Sequence, residues 1–245
     1  MSHTGQCGFF YNLPFEEYQS LPGLNQSKLR KLLSSPSKQK QGYQIQQAMN
    51  FGSAGHSLLL EPHKFEELYV CAPKGLRRRG KNGGKNWAEF SELHSGKNIL
   101  DANEFKRLQN ILKVFQINPK IKQFWNRGET EVSIFWEDAE FGIDCKARLD
   151  WYDEDSMKII DLKFTNNIGK LCNQKLMDQY FSVQAAWYRR GVYKLTGSAC
   201  DFLFVFVEKY SPHMISVIQV SEEIIRHGEQ VVLSAIEKVT TKHDG

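Results

Sequence analysis

Apolar positions along the chain fall into two periodicities. Asn25-Gln-Ser27-Lys28-Leu29-Arg30-Lys31-Leu32-Leu33 sets leucines at helical spacing behind a capping-type residue, and Ser34-Ser35-Pro36 ends the run. Phe51-Gly-Ser-Ala-Gly-His56-Ser-Leu-Leu-Leu60 predicts a helix whose small residues admit a close neighbour, stopping at Pro62. A third helix is expected from about Ala102 to Val114.

The pattern then changes. Glu129 to Trp136, Phe141 to Trp151 and Met157 to Phe164 are rich in β-branched and aromatic residues, with turn-like separators, and predict an antiparallel meander. Residues 178–195 return to helical spacing, with Thr196-Gly197 as the stop. Asp201 to Glu208 and His213 to Val220 read as two further strands, and Ser221 caps a last helix opened by Glu222 and Glu223. Helices, three strands, helix, two strands, helix: this order is met most economically by an α/β (α+β) fold with a mixed central sheet flanked by helices, in one domain over residues 1–245.

Composition narrows the classes. Of the 245 residues 41% are hydrophobic and 24% charged, as in ordinary globular proteins. No apolar run approaches the roughly 20 residues that span a bilayer, and Met1 to Phe10 lacks a signal-peptide layout, so a cytoplasmic location is the expectation. The five cysteines (Cys7, Cys71, Cys145, Cys172, Cys200) are odd in number and never spaced as C-x-x-C, which argues against a disulfide framework, a closed zinc site or an iron–sulfur cluster. A net charge of +4 suits a nucleic-acid partner without establishing one.

The chemistry is concentrated in Lys146-Ala-Arg-Leu-Asp150, ten residues, then Asp161-Leu-Lys163. Alternation along a strand puts Asp161 and Lys163 on one face and Leu162 on the other. A short turn brings Asp150 alongside. Two carboxylates and an amine converging in this way suit a hard divalent cation that keeps room for water and a phosphate, with Lys163 orienting or deprotonating the attacking water. A surface ion pair between Asp161 and Lys163 is the plainer alternative. Gln184 and Tyr188 share a helix face and are candidates to hold a phosphate or water, or else belong to amphipathic packing. His56 is a candidate metal ligand or a core histidine, and Glu131 either faces the same cleft or faces solvent.

Residues 74–86 carry six basic residues among four glycines with no regular period, and predict a positively charged loop, solvated or engaged on phosphates. Arg77, Arg78, Arg79, Lys81 and Lys85, together with Arg148, are the candidate DNA contacts.

The ordered set His56, Glu131, Asp150, Asp161-x-Lys163 and Gln184-x-x-x-Tyr188 resembles the RecB-like branch of the PD-(D/E)xK nucleases, and more narrowly the nuclease domain of RecE-type exonucleases and related phage proteins. Phe51 to Pro62 is similar to that family's histidine helix, Leu21 to Ser27 through Pro36 to its opening helix, and Gln184-Ala-Ala-Trp-Tyr188 to its Q-x-x-x-Y helix; the likeness spans roughly residues 11–225. It departs in one place: Leu149, not proline, precedes Asp150. The resemblance implies a 5′-to-3′ exonuclease on linear double-stranded DNA that leaves 3′ tails for recombination. It also implies Mg2+ or Mn2+ as a pair of ions, a ring-shaped homo-oligomer and a single-strand annealing protein as partner. His56, Asp150, Asp161 and the main-chain carbonyl of Leu162 would bind metal, with Glu131 as a further candidate. Lys163 would position or activate the nucleophile, and Gln184 and Tyr188 would support water and phosphate.

Overall fold

A computed structural model describes residues 6–33, 42–76, 78, 83–125, 127–170 and 179–240. Its elements, in chain order, are β1 (Gly8–Phe10), α1 (Phe15–Ser20), α2 (Gln26–Leu33), α3 (Gly42–Leu60), α4 (Pro62–Leu68), β2 (Tyr69–Cys71), α5 (Gly83–Leu93), β3 (Asn98–Leu100), α6 (Ala102–Ile117) and α7 (Pro119–Lys122). They continue with β4 (Glu129–Asp138), β5 (Ile143–Asp153), β6 (Lys158–Thr165), α8 (Gln179–Thr196), β7 (Asp201–Glu208), β8 (Ile215–Gln219) and α9 (Glu222–Thr240).

The principal sheet has the order β1-β4-β5-β6-β7-β8, while β2 and β3 form a separate parallel pair. The meander β4-β5-β6 is antiparallel as expected. β6 pairs in parallel with β7 along its whole length because α8 carries the chain back across the sheet, and β8 returns antiparallel to β7. The sheet is therefore mixed, as the element order predicts.

Each face of the sheet carries its own apolar layer. On one face Val132, Ile134, Trp136, Leu149 and Phe204 pack against Trp187 of α8 and Ile225 and Ile236 of α9. On the other, Trp151, Ile160, Leu162 and Val205 pack against Phe51 and Ala54 of α3 and Leu108 and Ile111 of α6. Helix starts follow local chemistry: Asp101 and Glu104 close a capping box on α6, and the Asn25 side chain accepts from Lys28 N–H at the head of α2. Gly197, at φ 71°, ends α8. The side-by-side packing of α8 and α9 depends on Gly228, where a Cβ would stand 2.1 Å from the Ser182 carbonyl oxygen.

Three features lie beyond the sequence reading. The segment ahead of α2 supplies an edge strand, β1, which pairs with β4, and the buried Lys146 amine donates to the carbonyls of Tyr18 and Leu21, tying down the end of α1. The expected 74–86 loop is shortened, because α5 starts at Gly83 and takes in Lys85 and Asn86. Its Trp87 lies under the Arg78 guanidinium, 4.8 Å from ring centroid to Cζ, and gives the segment something to fold against. Cys7, Cys71, Cys145 and Cys200 are free thiols. Among the described residues no helix is long and apolar enough to cross a membrane.

Candidate active site

The site lies where the sheet comes apart. The β5–β6 ladder holds only at Trp151↔Ile160, Tyr152↔Ile159 and Asp153↔Lys158, next to their turn. Asp150 and Asp161 are the next residues on each strand, at the point of separation. The β4–β5 ladder runs from Glu129↔Tyr152 to Asp138↔Ile143 but omits the position where Glu131 faces Asp150. Glu131 has φ 55°, a left-handed conformation that costs a non-glycine residue on the order of 1 kcal/mol. Alternation breaks with it: Leu149 packs into one apolar layer, and Trp151, two residues on, into the other.

The separated strands let groups from both faces of the sheet meet. α3 delivers His56 from one side, its ring 5.9 Å from that of Phe164. That approach depends on Gly55, where a Cβ would fall 2.2 Å from Phe164 Cζ. His56 Nδ1 stands 3.5 Å from Asp150 Oδ2. The ligand atoms of His56, Glu131 and Asp150 all lie within 4.8 Å of one another. From the opposite side α8 brings Gln184, whose Nε2 donates to Asp161 Oδ1, while Lys163 Nζ pairs with Asp161 Oδ2.

The strand backbone completes the floor. Leu162 N–H donates to Asp150 Oδ2 at 2.8 Å. Leu162 thus presents its peptide groups at the site while its side chain fills the α3 layer, in keeping with strand alternation. Arg148, expected to contact DNA, is instead 9% exposed. Its guanidinium donates to Glu131 Oε2 (2.6 Å), Ser133 Oγ (2.9 Å) and the Leu13 carbonyl (2.8 Å), so it braces Glu131 from within.

Burial dominates the electrostatics. It pushes Glu131 up to about 7, with the Asp150 charge adding to the rise and Arg148 opposing it. It lifts Asp161 to about 6 against the pull of Lys163, and raises Asp150 against Lys163 and the Leu162 N–H. The same burial, with the Lys163 ammonium, lowers His56 and favours the neutral imidazole that metals bind. Tyr188 is driven well above its ordinary range by burial and by Asp161 and Asp150, so it is a phenol donor here.

This donor set fits a divalent cation. Crowded carboxylates in a poorly solvated site repel one another unless a positive charge intervenes. Asp161 Oδ2 is buried, and its ion pair with Lys163 Nζ falls outside hydrogen-bond geometry. Carboxylate oxygens and one imidazole suit magnesium or manganese better than a soft metal.

The expected residues thus occupy one locus, in two subgroups. His56, Glu131 and Asp150 cluster tightly, whereas the Asp161 oxygens are turned to Gln184 and Lys163. Of the basic loop, Arg77, Arg79 and Lys81 lie outside the described residues. Arg78 is docked inward, donating to the Ile99 carbonyl (2.9 Å), and Lys85 is exposed beside Glu89 on α5. Leu13 and Ser133, which hold Arg148, carry no sequence signal: one acts through its carbonyl, the other as a common strand residue.

No curated protein matches the chain. Among solved structures, a protein described as a candidate exonuclease from Eubacterium rectale shares 16% identity, with 85% of this chain and 87% of that one covered at a TM-score of 0.47. SSO0001 shares 15% identity over 85% and 83%, at a TM-score of 0.32. The family model described as a PDDEXK-like domain of unknown function (DUF3799) matches residues 24–244, a span that takes in every site residue from His56 to Tyr188 and omits β1 and α1. The chain therefore belongs to the DUF3799 family of PDDEXK-like domains, within the PD-(D/E)xK nuclease superfamily.

Proposed function

We propose that the protein is a metal-dependent DNA exonuclease acting 5′-to-3′ on linear double-stranded DNA and leaving 3′ single-stranded tails. The observation that carries the nuclease chemistry is the meeting of His56, Glu131 and Asp150 ligand atoms within 4.8 Å, beside the Asp161–Lys163 pair. Polarity, a ring-shaped homo-oligomer and a single-strand annealing partner rest on the resemblance to RecE-type exonucleases, and the proposal includes them on that ground.

His56, Glu131, Asp150, Asp161 and the Leu162 carbonyl are the groups that would hold Mg2+ or Mn2+. When bound, such a cation neutralises charge on the scissile phosphate and favours ionisation of a ligated water. The chain's own contribution is positional. Gln184 fixes one Asp161 oxygen, so the other stays turned toward Lys163. Lys163 Nζ, on the same face as Asp161, is placed to orient the attacking water and to exchange a proton with it. The Tyr188 hydroxyl keeps its proton and can donate to a phosphate oxygen. Trp151 and Leu162 back the site with buried apolar side chains on the α3 side.

Linear duplex labelled at the 5′ or the 3′ end, and a covalently closed circle, would be incubated with magnesium and with EDTA. Magnesium-dependent release of the 5′ label with the 3′ label retained is the expected result. Cutting of the circle would convert the reading to an endonuclease, and no degradation under any metal would overturn the nuclease assignment.

A further inference from the structure

Beside the site, at the C-terminal end of β6, two cations and two aromatic rings form a cluster that the catalytic arrangement does not use. The Arg107 guanidinium of α6 lies over the Phe51 ring at 4.9 Å and over the Tyr210 ring at 5.1 Å. Lys209 is the first residue after β7, and its N–H donates to the Thr165 carbonyl at 2.9 Å. Thr165 lies two residues beyond Lys163, about 6.6 Å along the strand. A chain of ring contacts joins the cluster to the site: Phe51 meets Phe164 edge-on at 6.0 Å, and Phe164 lies against His56 at 5.9 Å.

Among the described residues no carboxylate forms an ion pair with Arg107 or Lys209, although eight other lysines and arginines do pair. The carboxylates nearest in sequence are engaged elsewhere: Glu208, beside Lys209, accepts from the Ile168 N–H at 2.7 Å, and Glu104, three residues before Arg107, accepts from the Asp101 N–H and lies 3.9 Å from Arg78. Arg107 Nε is buried without a hydrogen-bond partner. Arg107 also adds to the burial effect in lowering Lys209, so the two cations repel each other. Tyr210 is 53% exposed beside them. A fold gains nothing from holding two like charges together, and a polyanion relieves the repulsion. The planar guanidinium, fixed on two rings, is preorganised for phosphate oxygens.

We propose that Arg107 and Lys209, flanked by Tyr210, form a phosphate-contact site for the DNA backbone beside the active site. The site is distinct from the 74–86 basic segment, and it rests on the nuclease reading for its substrate, not for its existence as a polyanion site.

The test is DNA affinity measured directly. Binding of a short labelled duplex would be followed by fluorescence anisotropy in EDTA across a salt series, for the wild type, Arg107→Gln, Lys209→Ala and a charge-matched control, Lys158→Ala, at the opposite end of β6. Thermal melting checks each fold, and Lys209→Ala, on a partly exposed side chain, carries the test if Arg107→Gln unfolds. Each patch variant is expected to weaken binding by about three- to tenfold and to lower the slope of log affinity against log salt by about one, while Lys158→Ala changes neither appreciably. Equal losses in Lys158→Ala and the patch variants, or no duplex binding by the wild type, would overturn the proposal. Intact cleavage with unaltered affinity in the patch variants rejects this site and leaves the nuclease reading in place. Patch-dependent binding without cleavage under any metal does the reverse.

Discussion

Gly55 and Phe164 are in direct contact, helix backbone against aromatic ring, and a single added carbon at Gly55 would lie 2.2 Å from Phe164 Cζ. His56 is the next residue along α3, so the depth to which the imidazole reaches the carboxylates is set by this contact. Gly55→Ala should cost about 1 to 3 kcal/mol of stability from overpacking and lower the affinity for activating metal by moving His56 outward. Pairing it with Phe164→Ala should return part of the loss. Denaturant unfolding and metal titration of cleavage measure both; an unperturbed Gly55→Ala would show that the helix slides without consequence.

Glu131 occupies a left-handed backbone conformation inside a strand. Removal of its carboxylate should impair metal-dependent cleavage whichever residue replaces it. Stability should separate the replacements: Glu131→Gly should exceed Glu131→Ala by about 1 kcal/mol, because glycine adopts positive φ without steric penalty. Equal stability, or alanine the more stable, would mean that the local backbone relaxes once the carboxylate is gone.

Arg148 is the cationic partner of Glu131 and also satisfies the Leu13 carbonyl and Ser133. Arg148→Ala should destabilise the fold by about 3 kcal/mol, the scale for leaving a buried charge unpaired, and weaken metal activation through loss of Glu131 placement. Its effect on the salt dependence of DNA binding should be small, since its donors face the interior. A large change in salt slope would return Arg148 to the DNA surface.

Asp161→Ala should abolish cleavage, and Lys163→Ala should reduce turnover by about 10²- to 10⁴-fold, the range for positioned proton transfer. Both should leave duplex affinity in EDTA largely intact. Undiminished turnover in Asp161→Ala would refute its place in the site.

Asp138 contributes to acid stability, away from the chemistry. Burial alone would raise its carboxyl, but hydrogen bonds from Arg190, with the charges of Arg190 and Lys194, outweigh burial and hold it below the ordinary carboxylate range. The folded state therefore binds this proton less readily than the unfolded chain. The stabilisation is complete above the unfolded value of about 4 and is lost as pH falls through the depressed folded value. Asp138→Asn should lower stability at neutral pH and flatten the acid limb of the stability–pH curve; parallel curves for the two proteins would exclude this pair as its source.

The sequence determined the features that local rules dictate. Periodicity and caps were sufficient for α2, α6, α8 and α9 and for the meander β4-β5-β6, because helix and strand patterns are set by residues within a few positions of one another. The D-x-K alternation put Asp161 and Lys163 on one face and Leu162 in the core, and the structure agrees. The tertiary structure decided the long-range matters. That the β5–β6 ladder ends at Asp150 and Asp161, admitting His56 from one face and Gln184 from the other, depends on pairing register across elements distant in sequence. Glu131, which in sequence suits a solvent-facing strand position as readily as a cleft, sits in the ligand cluster because a single positive φ interrupts its strand's alternation, which no periodicity reports. Arg148 reads as a surface cation in sequence but is buried, because its partners are a carbonyl from Leu13 and a serine on the neighbouring strand. The charge of a side chain is written in the chain; whether it meets solvent or a carbonyl more than a hundred residues away is settled only by packing.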